Sequence, residues 1–109
     1  MTRPRIGAMR HHLTLEAVAR SPDGGGGVTE SWTSVADVWA AVIPVTGGES
    51  VVGEGVSGRI THVVFMRWRA DVTPAMRLRF GTRLLDITAV IDVEERGRHL
   101  KCLCRERDL

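Results

Sequence analysis

At 109 residues the chain is long enough for one domain with one core, and its 43% hydrophobic and 26% charged composition excludes disorder throughout. A formal net charge of +2 is too small for a dedicated nucleic-acid binder. No run of about 18 apolar residues is present, and none follows Arg3 and Arg5, so neither a membrane-spanning helix nor a secretory signal is expected. The expectation is a soluble protein made in the cytoplasm.

The charge is unevenly placed. Residues 1–58 carry four arginines against six carboxylates, a net of −2, whereas residues 59–109 carry ten arginines and one lysine against seven carboxylates, a net of +4. Such asymmetry suits packing between copies or a nearby polyanion. Arginine also suits planar pairing with carboxylates at interfaces.

Residues 1–10, with Pro4 and Gly7 and no period, read as an arm. His11 to Val18 alternates, Leu13 and Leu15 against His12, Thr14 and Glu16, and predicts a first strand. Ser21-Pro22-Asp23 and four glycines make a flexible turn. Val28 to Ile43, rich in Val, Thr and Trp, predicts one long strand or a pair, ended by Pro44, which lacks an N–H. Near its end both faces are apolar, so a cover is expected on each side. A neighbouring subunit could be one.

Residues 45–58 hold five glycines, each disfavouring helix by roughly 1 kcal/mol, so the segment reads as a long loop between the second and third strands. From Arg59 alternation resumes. His62, Val64, Met66 and Trp68 share one face, which reads as core, and Asp71 to Ala75 turns the chain.

The remaining strands can be registered from side-chain chemistry. Phe80 with Leu85, Leu78 with Ile87 and Met76 with Ala89 would point inward, with Arg79 opposite Asp86 outward. A turn at Arg96-Gly97 would pair Val93 with Leu100, Ile91 with Cys102 and Ala89 with Cys104 inward, and Asp92 with Lys101 and Glu94 with His99 outward. The expected fold is all-β: a small antiparallel barrel of about six strands in a single domain, its closure removing exposed edges.

No constellation predicts catalysis, a metal or a cofactor. There is no Ser-His-Asp order, no carboxylate dyad and no phosphate loop, since no helix or Lys-Ser follows the glycines at 24–27. His11, His12, His62 and His99 read as surface or pairing histidines. Cys102 and Cys104 lie about 7 Å apart on one strand face by strand rise, too far to bridge readily, and read as buried reduced thiols. Trp32 and Trp39 differ by seven, so a continuous strand puts one of them outward. If a hairpin turns at Asp71–Ala75, Arg67 and Arg69 face Arg77 and Arg79 across it, an unfavourable juxtaposition. A solvated face, carboxylates of an adjacent subunit, or passing DNA could each relieve it.

The order Gly7-x-Met9-Arg10-His11, the Asp-Gly turn, Trp32, Val38-Trp39-Ala40, Pro44-x-x-Gly47-x-Glu49, Met66-Arg67-Trp68-Arg69, Leu85-x-Ile87-x-x-Val90 and Leu100-x-Cys102 resembles the head–tail joining (head-closure, or stopper) proteins of tailed phages and the related gene transfer agents. The resemblance implies a non-enzymatic virion protein with no cofactor. It implies a β-barrel forming a homo-oligomeric ring in the particle neck, between the portal–adaptor complex and the tail terminator or tail tube.

The ring would continue the channel for double-stranded DNA, and the loop between the second and third strands would help close it. That loop maps onto Gly47, Gly48, Glu49, Val51, Val52, Glu54 and Val56. Its glycine content departs from the more helical, alanine-bearing segment of many members. Arg67, Arg69, Arg77, Arg79 and Trp39 are the candidate subunit-interface or DNA-facing residues. Cations on a channel wall would meet DNA without reading sequence. The alternatives are a tail terminator of the same particle and a small barrel that binds single-stranded nucleic acid.

Overall fold

The computed structural model describes residues 9–45 and 60–107. Six antiparallel strands follow one another: β1 (His11–Pro22), β2 (Val28–Pro44), β3 (His62–Arg67), β4 (Arg77–Phe80), β5 (Arg83–Asp92) and β6 (His99–Glu106). They close into a barrel in the order β1-β2-β3-β6-β5-β4. The all-β barrel of six strands is therefore as expected, and the connection between β2 and β3 is its longest.

Inward-facing side chains fill the barrel. Leu15 faces Leu78 across the short β1–β4 seam, and Leu78 faces Leu85 on β5. All three are fully buried, forming one apolar row over the strands that close the ring. Burying each leucine contributes roughly 1.5–3 kcal/mol, which offsets the shortness of a seam made of three residue pairs. Cys102 and Cys104 are buried free thiols in the same core.

The two ends of the barrel differ. At one end β2 leaves and β3 enters, so the long connection 45–61 departs there, beside the Gly81-Thr82 turn and the end of β6. Gly81 has φ +64°, the left-handed value a two-residue hairpin needs at its first central position, where glycine carries no Cβ penalty. At the other end Val72 and Met76, from the connection between β3 and β4, cap the core, and the β1–β2 hairpin runs on past the barrel.

β4 reaches β1 only at Thr14–Glu16, and β3 reaches β2 only at Ala40–Pro44. The outer half of the hairpin is thus a two-stranded ribbon with exposed faces, and the molecule is 50 Å long against 29 and 27 Å across. Its tip is closed by Asp23, whose Oδ1 accepts the amides of Gly25 and Gly27 at 2.8 and 3.0 Å. The carboxylate thus fixes the turn expected to be flexible.

Several registers differ from expectation, and two bulges account for most of the differences. On β4–β5 the tight Gly81 turn pairs Leu78 with Leu85 and Arg77 with Asp86, two positions from the expected alignment but with the same faces inward. On β5–β6 a bulge between Ile87 and Ala89 shifts the pairing, so Ala89 meets Leu103 and Val90 meets Cys102. Past it, Val90 faces the core while Ala89 and Val93 face outward. A bulge inserts one residue and exchanges the two faces of the strand beyond it.

A second bulge opposes Val35 to the Leu15/Glu16 step. It turns Trp32 to the same outer side as Trp39 instead of the opposite one. Trp68 is 44% exposed at the rim and not core.

The outer face of β2, β3 and β6 is apolar as well. Ala41, Val63, Phe65 and Leu103 are buried there with Met9, against Val45, Ile60, Ala89 and Val93. The cover expected for the second face of β2 thus includes residues of the chain itself.

Candidate functional site

The candidate arginines do not form one set. β3 pairs with β2 and β6, and β4 pairs with β1 and β5, so Arg67 and Arg69 do not face Arg77 and Arg79. The expected hairpin across Asp71–Ala75 is absent, because the two strands lie on different sides of the barrel. Arg67 instead stands opposite His99. Arg69 forms a two-pronged pair with Asp71, two residues away, at 3.0 and 2.9 Å.

Arg77 and Arg79 converge on one carboxylate. Glu16 Oε1 accepts from Arg77 Nε at 2.7 Å and Glu16 Oε2 from Arg79 Nε at 3.0 Å. Burial alone would raise the Glu16 carboxyl, but the hydrogen bonds and charges of the two guanidiniums outweigh it and hold it below its usual range. The carboxylate that relieves these arginines comes from the same chain.

Trp32 joins this cluster. The Arg77 guanidinium lies 4.0 Å above its ring and that of Arg107 lies 5.6 Å away, while Arg107 also holds Asp86 at 2.7 Å. Trp32 sits where the β1–β2 ribbon leaves the barrel. The stacked guanidiniums and their carboxylates therefore tie the ribbon's base to β4, β5 and the end of β6.

A second polar cluster lies at the root of the long connection. Val45 N–H donates to the Thr61 carbonyl and Thr61 N–H to the Cys104 carbonyl, both at 2.9 Å. Arg83 binds Glu106 through both carboxylate oxygens at 2.9 and 3.0 Å. Its Nη2 also meets His62 Nε2 at 3.0 Å. A guanidinium only donates, so Nε2 accepts, and Nδ1 carries the proton that goes to Thr61 Oγ1 at 2.9 Å.

Thr61 Oγ1 also accepts the Glu106 amide at 2.7 Å. Burial first, then the Arg83 charge, push the His62 pKa down, with Glu106 partly opposing. Both strands flanking the long connection are thus fastened before it begins. The candidate loop residues Gly47, Gly48, Glu49, Val51, Val52, Glu54 and Val56 lie outside the described residues.

Trp39 is 59% exposed on the outer face, its ring 5.0 Å from that of His12. Among the described residues no group of three or more His, Cys, Asp or Glu side chains could hold a metal ion. Burial pushes the Cys102 thiol up to about 12 and raises that of Cys104 as well. The geometry therefore supplies rigid anchoring and charged surface.

Sequence reading missed Glu16, Trp32, Asp86 and Arg107 as one cluster and His62, Arg83 and Glu106 as another. Glu16 and Arg77 are 61 positions apart, and no local pattern signals their contact. The directly opposed Arg77 and Asp86 could have signalled part of it, had the Gly81 turn been read as two residues.

Comparison with known proteins gives matches over nearly the whole chain. The family model described as phage head completion protein matches residues 4–107. Head completion protein gp7 of Enterobacteria phage HK97 is 27% identical over 104 residues, which span 91% of this chain and 93% of that protein. A chain in the virion of a native gene transfer agent particle superposes with a TM-score of 0.69 at 31% identity, covering 96% of this chain and 98% of that one. Protein SF1141 from Shigella flexneri 2a superposes with a TM-score of 0.73 at 25% identity, covering 94% and 96%.

Proposed function

Since the chain belongs to the phage head completion protein family, we propose that it is a ring subunit in the neck of a phage-like particle. It joins the portal–adaptor complex on the head side to the tail terminator or tail tube on the other. It helps retain packaged DNA until the tail attaches. The family is one of structural completion proteins, not of enzymes, and the action proposed here is mechanical.

The observation that carries the reading is the likeness, from end to end, to a chain of a gene transfer agent particle. The barrel's layout supports the stopper role within that class. The connection 45–61 leaves from one barrel end between strands locked by Thr61, His62, Arg83 and Glu106. Gly47, Gly48, Glu49, Val51, Val52, Glu54 and Val56 would line or narrow the channel there. DNA passing through would be met without sequence readout.

Deletion of the gene in the producing cell, followed by electron microscopy of the lysate, tests the role. Finished tails lying free beside heads that have lost DNA are expected. Full heads that keep their DNA beside free tails would favour a joining role without closure. Tailed particles in normal yield would overturn the reading.

A further inference from the structure

We infer that the outer face of β2, β3 and β6 around Trp39 docks an acidic, partly apolar surface of a different particle protein. The inference rests on the proposed place of the chain in a particle neck and names which face makes a contact there.

The described cations divide into two groups. Arg20, Arg69, Arg77, Arg79, Arg83, Arg96 and Arg107 each bind a carboxylate of the same chain. Arg67 and Lys101 are among those with no such partner, and they point outward from neighbouring strands. Arg67 stands opposite His99, and Lys101 stands opposite both Phe65 and Ile91. Trp39 and Arg67 are each the next residue beyond the Ala40–Met66 pair, so they occupy facing positions on the two strands.

His12 lies on the far side of Trp39, giving the row His12, Trp39, Arg67, His99. The row holds no carboxylate. The nearest one along β2, Asp37, accepts the Thr14 hydroxyl at 3.1 Å. His99 Nδ1 is buried with no hydrogen-bond partner.

The apolar share of the face decides the class of partner. Trp39 is 59% exposed, and Ile43 and Ile91 are each 41% exposed on the same outer side. An exposed indole beside a guanidinium is the composition of protein-interface anchors. Duplex DNA offers phosphates for the cations but no unstacked base for the indole.

A second copy is a poor match for a different reason. Among the described carboxylates, only Glu95 has no hydrogen bond or ion pair, so the described part of another copy has little unengaged acid to present. A distinct chain with free Asp or Glu side chains complements the face.

Lys101 is the sole lysine of the sequence, which makes it a specific probe. Purified particles containing this chain would be treated with a water-soluble carbodiimide, which joins an ammonium to a carboxylate in direct contact, and the linked peptides identified by mass spectrometry. The expected product joins Lys101 to an Asp or Glu of another polypeptide. A link to a second copy of this chain, or no Lys101 link, would overturn the inference.

In parallel, the Arg67→Glu, Lys101→Glu double variant, checked for unchanged thermal unfolding, should enter particles at least tenfold less than wild type. Normal incorporation would also overturn the inference. So would tight, salt-sensitive binding of purified wild type to duplex DNA that the double variant loses. Particles that hold the chain without a Lys101 link remove only the docking face, whereas normal tailed particles after gene deletion remove the neck reading itself.

Discussion

Glu16 and Arg77 meet at 2.7 Å across the seam that closes the barrel, with both side chains more than nine-tenths buried. Glu16 is opposite Arg77 in the β1–β4 register, so the pair is a ladder contact as well as a charge contact. Glu16→Ala leaves the buried Arg77 without its carboxylate and is expected to cost roughly 3–5 kcal/mol. Arg79→Ala removes a half-exposed partner and should cost less than about 1 kcal/mol. Chemical denaturation of the two variants checks both. Equal losses would contradict the seam account.

The same pair sets an acid limit. The Glu16 carboxyl titrates lower in the folded protein than unfolded, so its contribution is complete above the unfolded value near pH 4.5. It is lost as pH falls through the lowered folded value. Glu16→Gln should flatten the stability profile in that window while leaving its neutral-pH part parallel to wild type. Urea midpoints measured from pH 2 to 7 show this.

His62 acts in a higher window. Its folded pKa is depressed below the ordinary 6.5 by burial and by Arg83. The unfolded chain therefore takes up a proton first, and stability falls as pH drops below about 6.5 toward the folded value. Protonation would put a second cation against Arg83 and break the Nε2 acceptor contact at the root of the long connection. Amide exchange at Thr61 and Val45 should speed up on acidification in wild type and change little with pH in His62→Gln, beyond the intrinsic exchange trend.

Cys102 and Cys104 should be inert in the native state. Burial holds the Cys102 thiol near 12 and raises that of Cys104 as well, so the reactive thiolate is scarce at neutral pH. Labelling by a thiol reagent is expected to report opening of the core between β5 and β3, with a rate that follows added denaturant. Rapid native labelling would contradict the burial.

Glu95 carries φ +55° in the turn between β5 and β6, a conformation costly for a residue with a Cβ. Glu95→Gly should stabilise the protein by about 0.5–1 kcal/mol, because glycine adopts that geometry without the penalty. Thermal unfolding measures it.

Alternation in His11–Leu15 and Arg77–Phe80 made those strands legible, because one face of each carries apolar side chains of the core, whereas Val63–Met66 is apolar and buried on both faces. The bulges at Val35 and Thr88 were not legible. A bulge is one unpaired residue, and neither position has a side chain that demands one. Their consequence was large: Trp32 was assigned by a period of two that does not run unbroken, and the Ala89 and Ile91 faces were exchanged. The Arg77–Glu16 contact was hidden for another reason. Strand order around the closed ring decides which strands meet, and sequence neighbours β3 and β4 are not barrel neighbours. The family resemblance was legible because its phrases span the chain in order.

The central claim is the place of this chain in a neck ring. A reconstruction of the particle neck by electron cryomicroscopy tests it most directly. The account predicts a ring of barrels between portal–adaptor and tail, with the 45–61 connections directed to the channel axis. Density for the barrel elsewhere in the particle, or a ring whose 45–61 connections face outward, would contradict it.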